Sequence, residues 1–100
     1  MQADVLALEE LGVGDQRCVA VSSLRLLICR TDSGVYAIEN RCPHANLPLQ
    51  GGVVVSDVIR CPSHGAKFRL QDGQPAIGRL APVKTFPVSV VEGRILVDVA

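Results

Sequence analysis

The only two histidines of the chain each follow closely behind a cysteine, in Cys42-Pro43-His44 and Cys61-Pro62-Ser63-His64. Any fold that uses these residues together must present two short loops, each stiffened by a proline, and bring them side by side. The segment between them supplies the means. VVVSDVIR, residues 53–60, is a strand–turn–strand pattern in miniature, and Gly51-Gly52 and Gly65 provide further turn signals. Residues 41–74 therefore read as two ligand-bearing loops joined by a small hairpin.

The rest of the chain alternates short apolar runs with turns. VLALEEL, CVAVSS, LRLLICRT and VYAIEN are rich in β-branched or large apolar residues, with GVGD and TDSG interrupting them. Asp32-Ser33-Gly34 predicts a hairpin over 24–39. KFRLQDGQ reads as a strand entering a turn at Asp72-Gly73, and FPVSVVEGRILVDV as a closing hairpin that turns at Glu92-Gly93. In that hairpin Val88, Val90, Ile95, Val97 and Val99 recur at period two, as a half-buried antiparallel pair requires. No window holds a 3.6-residue period for three turns, so no substantial helix is expected. The reading is one all-β domain over 1–100, with a basal part at 1–40 and 75–100 and a ligand-bearing part at 41–74.

Composition narrows the function classes. At 100 residues the chain fits one core, and 48% hydrophobic against 20% charged residues marks it as globular. With 3% aromatic residues and no Trp, the core depends on Val, Leu and Ile, and bracing by a metal would help it. Ten basic residues balance ten acidic ones, which gives no footprint for a nucleic acid. The N-terminal MQADVLALEELGVG lacks the pattern of a secretory signal, and no segment is apolar enough to span a bilayer, so a cytoplasmic protein is expected. There, cysteines more often hold metals or stay as thiols than form disulfides.

The donors Cys42, His44, Cys61 and His64 are spaced Cys-x-His, sixteen residues, Cys-x-x-His. Two ordinary thiols and two ordinary histidines would be the bland account, which suits any one of them better than all four. A structural zinc site accepts two sulfur and two nitrogen ligands, but zinc fingers usually pair Cys with Cys and His with His. An iron–sulfur cluster with two thiolates on one iron and two imidazoles on the other needs one Cys and one His from each loop.

This last pattern resembles that of Rieske [2Fe-2S] proteins. CPHANLPLQGG is similar to the family's first ligand loop, with Leu49 and Gly52 at matching places, and VIRCPSHGAKF to the second, with Pro62, Gly65 and Phe68 matching. LLICRTDSGVYAIENRCPH, FRLQDGQ and TFPVSVVEGRILVDV resemble the flanking strands, so the likeness covers nearly the whole chain. It implies a Rieske-like antiparallel β-sandwich with a small cluster-binding subdomain. It also implies one [2Fe-2S] cluster, its inner iron on Cys42 and Cys61 and its outer iron on His44 and His64 near the surface. Neutral imidazoles in place of two thiolates leave less negative charge on the oxidised cluster and raise its potential.

Relative to high-potential members of that family, the first loop continues as Ala45-Asn46-Leu47 with no extra cysteine, and Ser63 occupies the second extra position. Ala66 and Phe68 stand where hydroxyl donors would stabilise the reduced cluster. The expected midpoint is therefore toward the low end of the Rieske range, nearer about −150 mV than +300 mV. Both histidines belong to the cluster motif, so none remains for a mononuclear iron, and the chain is expected not to be an enzyme itself. The resemblance implies a ferredoxin component, a monomer that takes one electron from a flavin-dependent NAD(P)H reductase and passes it to a terminal Rieske non-haem iron oxygenase, a ring-hydroxylating dioxygenase. A redox-sensing or metal-stabilised interaction domain is the alternative.

Cys18 and Cys29 match no cluster position and read as buried free thiols. Asn46 stands where the family often has Gly and would suit a left-handed backbone. Arg41, Lys67 and Arg69 flank the ligands, either as a solvated face or as a steering patch. By the same resemblance, residues 75–82 would correspond to a loop that shields the cluster in the family, slightly short here and with Gly78 near where proline is common.

Overall fold

The computed structural model describes residues 1–43 and 46–99. Ten strands run through them: β1 (Gln2–Ala7), β2 (Gln16–Val21), β3 (Leu24–Thr31), β4 (Gly34–Glu39), β5 (Val54–Val55), β6 (Val58–Arg60), β7 (Lys67–Arg69), β8 (Thr85–Phe86), β9 (Val88–Val91) and β10 (Arg94–Asp98). They form three antiparallel sheets in the orders β1-β10-β9, β2-β3-β4-β8 and β5-β6-β7. The one helical element among the described residues is a single 3-10 turn, Leu8–Glu10. VLALEEL is thus not a strand to its end. The Ala7 N–H donates to the Glu10 carboxylate at 3.2 Å, and the chain turns after Ala7. Arg30 then donates to the Leu8 and Leu11 carbonyls at 3.2 and 2.8 Å, adding to the turn's own bond from the Leu11 N–H to the Leu8 carbonyl.

Three hairpin turns fall where the sequence signals them, whereas the β2–β3 turn at Ser22-Ser23 carries no such signal. β3 and β4 pair from Leu26↔Glu39 to Thr31↔Gly34, closing over Asp32-Ser33. Glu92 and Gly93 take φ of 50° and 75°, and Ser56 and Asp57 take 52° and 60°. Two successive positive φ values give the turn whose twist matches that of the flanking strands.

β3 explains how the parts connect. Its run Leu26-Leu27-Ile28-Cys29 is buried at every residue, so the strand is covered on both faces. Leu26 and Ile28 join Leu6, Leu11, Ala37, Phe86, Ile95 and Val97 in one cluster, under the β1-β10-β9 sheet. Leu27 and Cys29, pointing the other way, join Ile38, Leu49, Ile59, Phe68, Leu70, Val83 and the two cysteines Cys42 and Cys61. The middle sheet therefore serves two cores, one structural and one beneath the ligand loops. The closing hairpin follows the period-two pattern only in part. Ile95 and Val97 are buried on the central strand β10, whereas Val90 on the edge strand β9 is exposed.

Candidate metal centre

The two ligand loops share one backbone frame. In the first, the Cys42 N–H donates to the Leu47 carbonyl at 2.7 Å, and the Asn46 N–H donates to the Cys42 carbonyl at 2.8 Å. In the second, the Cys61 N–H donates to the Ala66 carbonyl at 2.7 Å, and the Gly65 N–H to the Cys61 carbonyl at 2.9 Å. Each frame places a left-handed residue four positions after its cysteine, Asn46 at φ 56° and Gly65 at φ 74°. Gly takes that conformation freely, and Asn is among the few other residues that tolerate it. The reading of Asn46 as a stand-in for Gly is thereby explained.

The loops hang from different supports. The second is the six-residue connection of a hairpin whose last ladder pair is Arg60↔Lys67, so its feet are fixed by strand pairing. The first lies in the longer passage from β4 to β5, and side chains of the basal sheet hold it. The Asn40 Oδ1 accepts from the Leu49 and Gln50 N–H groups at 2.9 and 3.0 Å, while its Nδ2 donates to the Cys18 sulfur at 3.3 Å. Gln16 donates through Nε2 to the Gly52 carbonyl at 2.6 Å and accepts from the Gly51 N–H at 3.0 Å. Gly52 itself cannot carry a side chain, since a β-carbon there would lie 2.2 Å from the Arg60 carbonyl.

A third tie runs through Asp57, in the β5–β6 turn. Hydrogen bonds from Thr31, Ser33 and Tyr36 hold its carboxyl below the usual range against the opposing cost of desolvation. The Tyr36 hydroxyl donates to it at 3.4 Å, and desolvation together with that carboxylate raises the tyrosine in turn. Gln16, Asn40 and Asp57 were not singled out from the sequence, because each acts on residues remote from it in the chain. The shared frame did leave a signal: Cys-Pro, then Asn or Gly four residues after the cysteine.

Of the predicted ligands, Cys42 and Cys61 are 0% and 1% exposed and share one core cluster, with the half-buried Ala66 and Leu80 packed against it. His64, three residues beyond Cys61, is exposed. His44 lies outside the described residues. Both cysteines are free of disulfides, as are Cys29, buried as expected, and Cys18, which is only half-buried, contrary to the sequence reading. Burial pushes the Cys29 thiol up to about 12, which keeps it inert, as expected of a core residue. Among the described residues, no three Cys, His, Asp or Glu side chains form a group that would hold a single ion. The donor set suits an asymmetric two-iron group: two soft thiols share an apolar interior, and an imidazole is exposed three residues beyond Cys61.

The surroundings agree in part with the sequence reading. Phe68 is buried and Ala66 half-buried, and neither offers a side-chain donor. Arg41 pairs with Glu39 at 3.3 Å and Arg69 with Asp72, so of the three flanking cations only Lys67 has no ion pair among the described residues. In the 75–82 segment, Leu80 packs against the core cluster that includes both cysteines, while Ile77 is exposed and Gly78 takes φ 82°. No described helix is long and apolar enough to cross a membrane.

Comparison with known proteins places this geometry. The model of the Rieske [2Fe-2S] domain matches residues 2–87. The ferredoxin component of the naphthalene 1,2-dioxygenase system of Pseudomonas aeruginosa is 28% identical over 97% of this chain and 94% of its own. The ferredoxin of carbazole 1,9a-dioxygenase from Nocardioides aromaticivorans superposes with a TM-score of 0.90 at 33% identity, over 97% of this chain and 96% of its own. A chain in a complex of reduced oxygenase and oxidised ferredoxin of carbazole 1,9a-dioxygenase gives 0.88 at 34% identity, over 96% and 91%.

Proposed function

The chain belongs to the Rieske [2Fe-2S] domain family, with that cluster as its cofactor, and from this premise we propose that Cys42 and Cys61 hold the inner iron and His44 and His64 the outer one. The cluster-binding part is residues 41–74, seated on a basal part formed by 1–40 and 75–100. The bound cluster supplies one-electron chemistry. The residues around it decide its environment: the thiols sit in an apolar interior against which Leu80 packs, and the exposed His64 gives a partner's redox centre a close approach.

The function follows as a one-electron carrier. It takes an electron from a flavin-dependent NAD(P)H reductase and delivers it to a terminal Rieske non-haem iron oxygenase of the ring-hydroxylating kind, in the cytoplasm and as a monomer. The observation that carries this reading is a buried cysteine followed by an exposed histidine in the second loop, beside a first loop whose buried cysteine sits in the same backbone frame. The relatives named as ferredoxin components of dioxygenase systems support it. Ala66 and Phe68 in place of hydroxyl donors leave the reduced cluster without that stabilisation, so the midpoint falls near the low end, about −150 mV.

The test is reconstitution with the reductase and oxygenase of the carbazole 1,9a-dioxygenase system. NADH-dependent reduction of the chain followed by its reoxidation by the oxygenase is expected. A chain that is reduced by dithionite but exchanges no electron with either protein would point instead to the sensing role.

A further inference from the structure

The small sheet β5-β6-β7 has one face that its position accounts for and one that it does not. Its inner face, with Ile59 and Phe68 buried and Val54 half-buried, packs into the core of the two cysteines. The outer face should then be polar, as in any antiparallel sheet with one side in water. Instead Val53, Val55 and Val58 lie there with Ala76 and Ile77, lining a shallow groove of about 480 Å³ whose other walls are Arg60 and Lys67. Val53, Val55 and Ile77 are 64%, 66% and 72% exposed, among the most exposed large apolar side chains described. An apolar surface of this kind, bordered by polar residues, marks an interaction site.

Its location ties it to the redox site. Arg60 and Lys67 are the pair at the feet of the second ligand loop, so the groove opens beside the loop that carries His64. Arg60 also leans over that loop, where a β-carbon on Gly65 would stand 3.2 Å from its guanidinium. Neither cation forms an ion pair among the described residues, and no carboxylate lines the groove. A second copy of the chain suits the face poorly, because an isologous contact would bring the two basic borders together.

We propose that this outer face, the groove of Val53, Val55, Val58 and Ile77 between Arg60 and Lys67, docks the electron-accepting partner through an apolar ridge flanked by carboxylates. The assignment rests on the carrier reading above and specifies the surface by which the carrier delivers its electron. Apolar contact in the groove sets how long the complex lasts, and the two cations set how fast it forms.

Val55→Thr/Ile77→Ser and Lys67→Glu test it, with Val90→Thr on the far β9 edge as control. The holoproteins are compared for EPR signal, midpoint potential and stopped-flow reduction of the carbazole 1,9a-dioxygenase oxygenase, from low to high ionic strength. The apolar double variant is expected to lose about tenfold in second-order rate at all salt concentrations. Lys67→Glu should lose several-fold at low salt and little at high salt. EPR signals and midpoints should match the unaltered protein throughout, and Val90→Thr should keep its rate. Unaltered rates in both groove variants, or a loss confined to reduction by the reductase, would overturn the proposal while leaving the carrier reading standing. Failure of the unaltered chain to reduce the oxygenase would overturn the carrier reading and this proposal with it.

Discussion

The two ligand loops reach one backbone frame by different means. The loop at Cys61 is short and closed by its own hairpin, with Arg60↔Lys67 as the last rung. The loop at Cys42 has no such rung. It is held by Asn40 and Gln16, which satisfy backbone groups of residues 49–52 from the basal sheet. One loop is fixed by local strand pairing and the other by long-range side-chain hydrogen bonds. A cofactor gripped by both therefore ties the small sheet to the large one. Stability of the centre depends on residues that never touch it.

The largest effect expected from this comparison comes where the loops are alike. Cys42→Ala and Cys61→Ala each remove a proposed inner ligand, and both should yield protein without bound iron or visible absorption. Retention of the cluster in either variant would break the equivalence of the loops.

A smaller effect should separate them. Asn40→Leu strips the Leu49 and Gln50 N–H groups of their acceptor and should cost about 1–3 kcal/mol in urea unfolding, with faster iron loss to a chelator. Equal chelator resistance in this variant would mean that the first loop needs no external hold. The left-handed positions give a finer comparison. Gly65→Ala and Asn46→Ala should each cost about 1–2 kcal/mol, whereas Asn46→Gly should change stability by no more than a few tenths. Gly65→Ala should be the slightly worse of the two alanine variants, since its β-carbon also crowds the Arg60 guanidinium at 3.2 Å.

The smallest expected effect is pH-dependent. The folded-state carboxyl of Asp57 titrates below its unfolded value because Thr31, Ser33 and Tyr36 hydrogen-bond its charged form. It therefore stabilises the fold above the unfolded pKa of about 3.9, and that contribution disappears as pH falls through the lower folded value. Asp57→Asn should accordingly be less stable than the unaltered chain at neutral pH, with the gap closing below about pH 4. A gap that is constant across this range would remove Asp57 from the ties between the sheets.

The hairpins and the ligand pairs were legible because their signals are local. Glu92-Gly93 and Asp32-Ser33-Gly34 declare turns within a few residues, and Cys-x-His and Cys-x-x-His declare donors by spacing alone. Even the double burial of β3 shows as the unbroken run Leu26-Leu27-Ile28-Cys29. Gln16 and Asn40 stayed hidden because their partners lie 35–36 and 9–10 residues along the chain, and nothing in either neighbourhood announces them. The outer face of the small sheet was hidden for a different reason. In Val53-Val54-Val55 one side chain turns inward and its neighbours outward, but valine at all three positions erases the alternation that would distinguish the faces. The run reads as a strand without showing that half of it stays in solvent.

The central claim is that each loop contributes one Cys and one His to a single asymmetric cluster. It can be tested most directly by pulsed EPR of the dithionite-reduced protein grown with ¹⁵N-histidine. The chain contains only two histidines, so every histidine coupling belongs to His44 or His64. The account predicts two strongly coupled imidazole nitrogens, with one lost in His64→Ala or His44→Ala whenever a cluster remains. A spectrum with no coupled histidine nitrogen, or with both couplings intact after removal of either residue, would contradict it.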